Sequence, residues 1–175
     1  MQTPDTAVIT IRPADGPGDL AAVRALCWDY RAHLRSISTS EAELVATFYP
    51  EAKYRALMDT LESVHARPTG TILVAELHGN VVGCGMSHAL DERTSEIKRL
   101  FVAPHGRGHG AAKGLMTALL QQARTDGFAR VVLDTSRSLT AARALYTSLG
   151  MAERGPYQDI PDNALAQLLF FEATL

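Results

Sequence analysis

Cysteine is scarce in this chain: Cys27 and Cys84 are two residues among 175. They stand far apart without CxxC spacing, so neither a metal knuckle nor a disulfide framework is expected, only two reduced structural thiols. An excess of charge is also lacking. The formal net charge is -2 and the basic residues are scattered, which removes the electrostatic footprint of a nucleic-acid binder. No apolar run approaches the roughly 20 residues a spanning helix needs, and "MQTPDTAVIT" has neither the basic start nor the apolar stretch of a secretory signal. A cytoplasmic protein with no membrane partner is expected. His105 and His109 flank glycines without a carboxylate or cysteine at ligand spacing, so no metal is expected. What is present, 46% hydrophobic and 21% charged residues, suits one globular domain over residues 1–175.

The periodicities predict a mixed order of elements. "AVITIRPA" reads as a strand closed by Pro13, and Asp19 is placed to cap a helix reaching about Ser36. That helix carries Leu20, Val23, Leu26, Cys27, Tyr30 and Leu34 on one stripe. A second helical region over roughly residues 40 to 66 is interrupted near Pro50. "TILVAEL" and "VVGCGMSHAL" form a hairpin turning at Gly79 and Asn80, and "SEIKRLFVA" follows as a further strand. Leu115, Met116, Leu119, Leu120 and Ala123 then trace a helix that Gly127 stops. "RVVLDT" is a buried strand, "SLTAARALYTSLG" a short helix with Ser138 as cap, and "AQLLFFEATL" a last strand. The class is α/β or α+β, a mixed sheet with about four helices.

Strand, glycine turn and helix in "VAPHGRGHGAAKGLM" make an anion-binding arrangement. Small residues let backbone N–H groups approach a phosphate, and the helix start adds partial positive charge. A P-loop is excluded because Lys113 is followed by Gly114 rather than a hydroxyl residue. A dinucleotide fingerprint fits poorly: Gly108, Gly110 and Gly114 give GxGxxxG, Asp134 stands downstream, but the loop comes after several strands instead of the first.

The same segment resembles the cofactor loop of the GCN5-related N-acetyltransferase (GNAT) superfamily, which reads Arg or Gln, two residues, Gly, one residue, then Gly or Ala. Arg107, Gly110 and Ala112 match. "LYTSLGM" resembles the family's LYxxLGF segment, with Met151 in place of the aromatic residue. "EIKRLFV" and "GPYQDIPDNALAQLLFFEATL" resemble a branch of small enzymes with E-x-K-R-L before the loop. One departure is Leu139, where the family often carries an Asn that contacts the cofactor.

The resemblance implies a GNAT fold, α+β, with a mixed and mostly antiparallel sheet of six to seven strands. It also implies transfer of an acetyl group from acetyl-CoA to a primary amine of a small molecule or amino acid. The cofactor would lie on the backbone of Leu100, Phe101 and Val102, where family members splay the strand, with its pyrophosphate on Arg107, Gly108, His109, Gly110, Ala111 and Ala112. Glu96 is the expected base, with its pKa raised by burial or with help from a water chain. Its alternative is a strand-surface salt bridge to Lys98, two residues away on the same sheet face. Tyr146 is the expected acid for the coenzyme thiolate, its alternative an ordinary core aromatic.

Trp28, Lys98 and Tyr157 are the expected acceptor contacts, together with the neighbourhood of Tyr30, Arg31, Gln158 and Asp159; Arg99 is a substrate or structural contact. Two other functions remain open on the residues: a non-catalytic acyl-CoA-binding or sensing domain, and an NAD-binding oxidoreductase. Dimers are common in the superfamily, and only the resemblance suggests a homodimer.

Overall fold

The computed structural model describes residues 8–175, so the absence of a signal pattern in residues 1–7 lies outside it. The chain opens with β1 (Ile9–Pro13), α1 (Gly16–Ile37), α2 (Thr39–Phe48), α3 (Glu51–Asp59) and α4 (Leu61–Val64). The strands β2 (Thr71–Leu77), β3 (Asn80–Ala89) and β4 (Thr94–Val102) lead through a 3-10 turn at Pro104–Gly106 into α5 (Ala111–Thr125). The remainder is β5 (Arg130–Ser136), α6 (Thr140–Ser148), β6 (Ala152–Arg154), α7 (Asp162–Leu165) and β7 (Leu168–Thr174).

Three local expectations are corrected. Asp19 does not cap α1. The helix starts at Gly16 after Asp15, and the Asp19 carboxylate instead accepts the Asp15 N–H at 2.8 Å and an ion pair from Arg12. The hairpin turns at His78 and Gly79, whose φ angles of 50° and 78° suit a two-residue turn with the twist of the flanking strands. Asn80 already belongs to β3. Leu139, not Ser138, stands at the start of α6, and no side chain caps it. Helical segments also outnumber the expected four, because Pro50 and Thr60 divide the second region and α7 is a single turn.

The seven strands form one sheet in the order β1-β2-β3-β4-β5-β7-β6. Every neighbouring pair is antiparallel except β4 and β5. Alternation along β2 sends Leu73 and Ala75 to one face and Ile72 and Val74 to the other. On the first face α5 buries Leu115, Met116 and Leu119 beside Val82, Ile97 and Val102. Burial of such side chains stabilises by about 1.5–3 kcal/mol each. On the second face Val23, Leu26 and Cys27 of α1, with Tyr54 and Met58 of α3, cover Cys84, Met86 and Phe101. Both cysteines are free and buried, as expected of structural thiols.

Two irregularities of β4 open the sheet at its centre. Its parallel pairing with β5 covers Thr94, Ser95 and Glu96 only, while β5 continues along β7 to Ser136. Beyond Glu96 the two parallel strands separate. On the other side of β4, Cys84 faces Phe101 and Met86 faces Lys98, so Arg99 and Leu100 together oppose Gly85 in a bulge. Arg99 there takes a φ of 52°, uncommon for a residue other than glycine.

Candidate active site

A cavity of about 370 Å3 opens where β4 and β5 part. Ile97, Lys98, Arg99 and Leu100 line it from β4, and Leu133, Asp134, Thr135 and Ser136 from β5. Helices α1, α2 and α3 form its roof through Tyr30, Arg31, Glu41, Lys53 and Tyr54, and Leu139 and Tyr146 bound its far end. That size falls in the range of small-molecule pockets.

A chain of charges crosses the split. The Lys98 ammonium lies 3.2 Å from Asp134 and 3.3 Å from Glu96. The Glu96 carboxylate is 2% exposed and meets His88 Nε2 at 2.8 Å on one oxygen. Its other oxygen accepts from the Tyr157 hydroxyl at 2.5 Å and the Gln158 amide at 3.3 Å. Tyr157 also reaches Asp134 at 3.4 Å. Glu96 and Lys98 do share a sheet face, but the pair is buried and networked rather than a strand-surface bridge.

The expected rise in the pKa of Glu96 is not found. Burial pushes it up, but the His88 hydrogen bond, the Lys98 charge and the Tyr157 hydroxyl outweigh burial and bring it down to about 2. Burial opposes the charge on Lys98 as well, and Asp134 and Glu96 outweigh it and raise that pKa. Glu96 does not line the cavity, whereas Lys98 and Asp134 do.

The lowered value sets a pH dependence. Protonation of Glu96 is opposed in the folded state, so its stabilising contribution is full above its ordinary value of 4.5 and lost as pH falls through about 2. Thermal melts from pH 6 to pH 2 should therefore show a steeper acid loss for the wild type than for Glu96→Gln. Parallel curves would put the Glu96 charge outside the stability balance.

Tyr146 is buried in α6 against Phe171 at 5.5 Å between ring centres, and it lines the cavity. It is thus a core aromatic and a wall residue together. Burial, with the Asp134 charge, raises its phenol to about 12.

The glycine loop lies outside this cavity, beyond the end of β4. Gly108 and Gly110 have φ near +80° (80° and 79°), and no atom stands within 4 Å of where a side chain would begin at either. Gly110 precedes Ala111, the first residue of α5, without a side-chain cap. The exposed turn of residues 107–110 leading into a 15-residue helix, with its uncrowded backbone, fits a phosphate group. Arg107 is exposed, and its Nε donates to the Val102 carbonyl at 3.1 Å, tying the loop to β4. His109 is exposed and Ala112 half-buried at the loop end. Phe101 and Val102 lie past the split, and the bulge sits earlier, at Arg99 and Leu100.

Gly106 has a different duty. A Cβ there would stand 2.7 Å from the Val82 Cβ, so Gly106→Ala should destabilise by about 1–3 kcal/mol through overpacking. A melting temperature equal to the wild type would show that the loop can shift freely.

Two residues expected as acceptor contacts, Trp28 and Tyr157, stand outside the lining of this cavity. Trp28 does not line the cavity; it packs edge-on to Tyr54 at 5.0 Å with Arg31 and Arg55 on its ring. Tyr157 stands behind the wall and reaches the cavity only through Glu96 and Asp134. Sequence alone does not mark Asp134 and His88 as members of the charge network. Asp134 lies within a buried strand, where a carboxylate after an apolar run is the available signal. His88 has none, because its partner is fixed by strand register.

The sequence model of the acetyltransferase (GNAT) family matches residues 34–151. An IAA acetyltransferase of Azospirillum brasilense is 36% identical over 112 residues, covering 63% of this chain and 71% of that protein. The human N-acetylaspartate synthetase is 35% identical over 130 residues, and the match spans 71% of this chain but 43% of that protein. The chain therefore spans less than half the length of that relative.

Among solved structures, an acetyltransferase from Streptococcus agalactiae shares the fold at a TM-score of 0.72 and 17% identity, covering 95% of this chain and 98% of that one. A Salmonella typhimurium protein solved with its cofactor acetyl-CoA has a TM-score of 0.63 at 20% identity, covering 95% and 93%. Matched over most of its length by the family model and carrying the family's fold, the chain belongs to the acetyltransferase (GNAT) family.

Proposed function

We propose that residues 1–175 act as a single N-acetyltransferase domain that moves an acetyl group from acetyl-CoA directly to a primary amine of a small molecule or amino acid. The observation that carries this reading is the cavity at the β4–β5 split, which Tyr146, Lys98 and Asp134 all line. The open glycine turn lies beyond the same strand. Acetyl-CoA supplies an activated thioester. The amides of residues 107–112 hold its pyrophosphate, and the freed edge of β4 from Leu100 to Val102 carries its pantetheine arm.

An alkyl ammonium has a pKa near ~10.4, so the acceptor must lose a proton before its nitrogen can attack. Asp134 receives that proton, and Lys98 lowers the ammonium pKa by like-charge repulsion. Glu96 is a positioning residue: its saturated carboxylate holds Lys98 and Tyr157 against Asp134. As the C–N bond forms and the C–S bond breaks, Tyr146 hydrogen-bonds the departing sulfur and gives it a proton, and the second proton that the nitrogen sheds on becoming an amide restores the phenol. A phenol raised to about 12 is fully protonated at neutral pH, so the donor is always loaded.

Parallel calorimetric titration with acetyl-CoA, free CoA and NAD tests the reading, followed by thiol release with a panel of amines. Micromolar acetyl-CoA binding, about -8 kcal/mol, and amine-dependent release are expected. Binding without release would favour an acyl-CoA sensor, and NAD binding would favour an oxidoreductase.

A further inference from the structure

Arg99 is a cation without a counter-charge. Its side chain leaves the β4 bulge toward the cavity and the second core face, where its guanidinium lies 5.9 Å from the centre of the Tyr54 ring. Its Nε is buried with no hydrogen-bond partner, and Nη1 contacts the Met86 sulfur at 3.8 Å. A thioether is a weak acceptor. Other arginines of this chain are treated differently: Arg12, Arg67 and Arg154 each hold carboxylates at the surface.

Arg31 shares the same ring, 5.8 Å from its centre, and its Nε donates to the Tyr49 carbonyl. Lys53 lines the same roof. Among the described residues none of these three cations forms an ion pair. The acidic groups of the cavity are Glu41, Asp134 and Asp159. Asp134 holds Lys98, Glu41 accepts the Ser136 hydroxyl, and among the described residues neither Glu41 nor Asp159 forms an ion pair with Arg99, Arg31 or Lys53.

A half-buried guanidinium left without an anion loses hydration that nothing replaces, and a carboxylate in its fork recovers much of that loss. The left-handed φ of Arg99 adds a local cost that persists only where the surroundings impose it. The bulge places a positive charge on the lining of the pocket that Lys98 and Asp134 also line.

We infer that the acceptor is an amine that also carries a carboxylate, a free amino acid being the simplest case. Arg99 grips the carboxylate while Asp134 receives the amino group. This rests on the transferase reading and names its substrate class. A cavity of about 370 Å3 that Arg99 and Arg31 both line suits a free amino acid.

The test compares each of a set of amino acids with its carboxamide and its decarboxylated amine in the thiol-release assay. The acids should be preferred by about tenfold or more, the effect of one charge-assisted hydrogen bond. Arg99→Met should raise KM for the acids and erase the preference, with acetyl-CoA affinity little changed. Arg99→Lys, which keeps the charge and loses the fork, should fall between.

Succinate titrated into the CoA-loaded protein reads the subsite without turnover, and its binding should be lost in Arg99→Met. Equal or better use of the amides, or succinate binding indifferent to Arg99, overturns the inference and leaves the transferase standing. If acetyl-CoA itself fails to bind, the transferase reading falls. Succinate binding to the free protein then decides the anion site alone.

Discussion

Gly110→Glu should abolish acetyl-CoA binding, with Kd weakened at least about a hundredfold. Two effects act together. Gly110 has a φ of 79°, which a side chain adopts only with strain, so the start of α5 is distorted. The new carboxylate also enters the space where no atom now stands within 4 Å, placing negative charge where a pyrophosphate needs the helix N-terminus. Gly110→Ala separates the two effects, since it keeps the strain without the charge and should cost far less affinity. Calorimetric titration of both variants, with melting curves to confirm folding, gives the answer. Retained micromolar binding in the Glu variant would move the pyrophosphate elsewhere.

Tyr146→Phe should lower kcat by about a hundredfold or more, the usual scale of a lost general acid, while the acetyl-CoA Kd stays close to the wild type. Packing makes this variant clean. The ring of Tyr146 rests on Phe171 and in the α5 core, and Phe preserves that surface. Among the described residues its hydroxyl makes no hydrogen bond, so its removal strands no partner. A single-turnover rate is the decisive measurement, because product release could hide the loss. An unchanged rate would leave Tyr146 as a wall of the pocket only.

The two variants probe features of unequal legibility. Glycines at left-handed positions are written in the sequence, because a turn into a helix with close backbone approach tolerates little else. The helical stripe from Leu115 to Ala123 is equally direct, since 3.6-residue periodicity reports which side meets a sheet. Motif resemblance carries the choice of Tyr146, which the structure places on the cavity wall.

Local chain chemistry is enough for the order of most elements, the hairpin, the mixed sheet and the glycine turn, because each depends on residues near one another. Caps and short elements are less secure: Asp19 finds Arg12 instead of a helix start, and the three residues of β6 show no burial alternation. The charge network and the pocket depend on residues distant in sequence. His88, Glu96, Lys98, Asp134 and Tyr157 come from β3, β4, β5 and a late loop, and meet because strand register sets them side by side. Whether Glu96 is a raised base or a low-pKa anchor turns on how many donors surround it against how much water is removed, and both quantities exist only once the chain is packed. The aim of Arg99 obeys the same rule: its residue type is visible in "EIKRLFV", but the bulge that turns it into the cavity arises from the mismatch between β3 and β4.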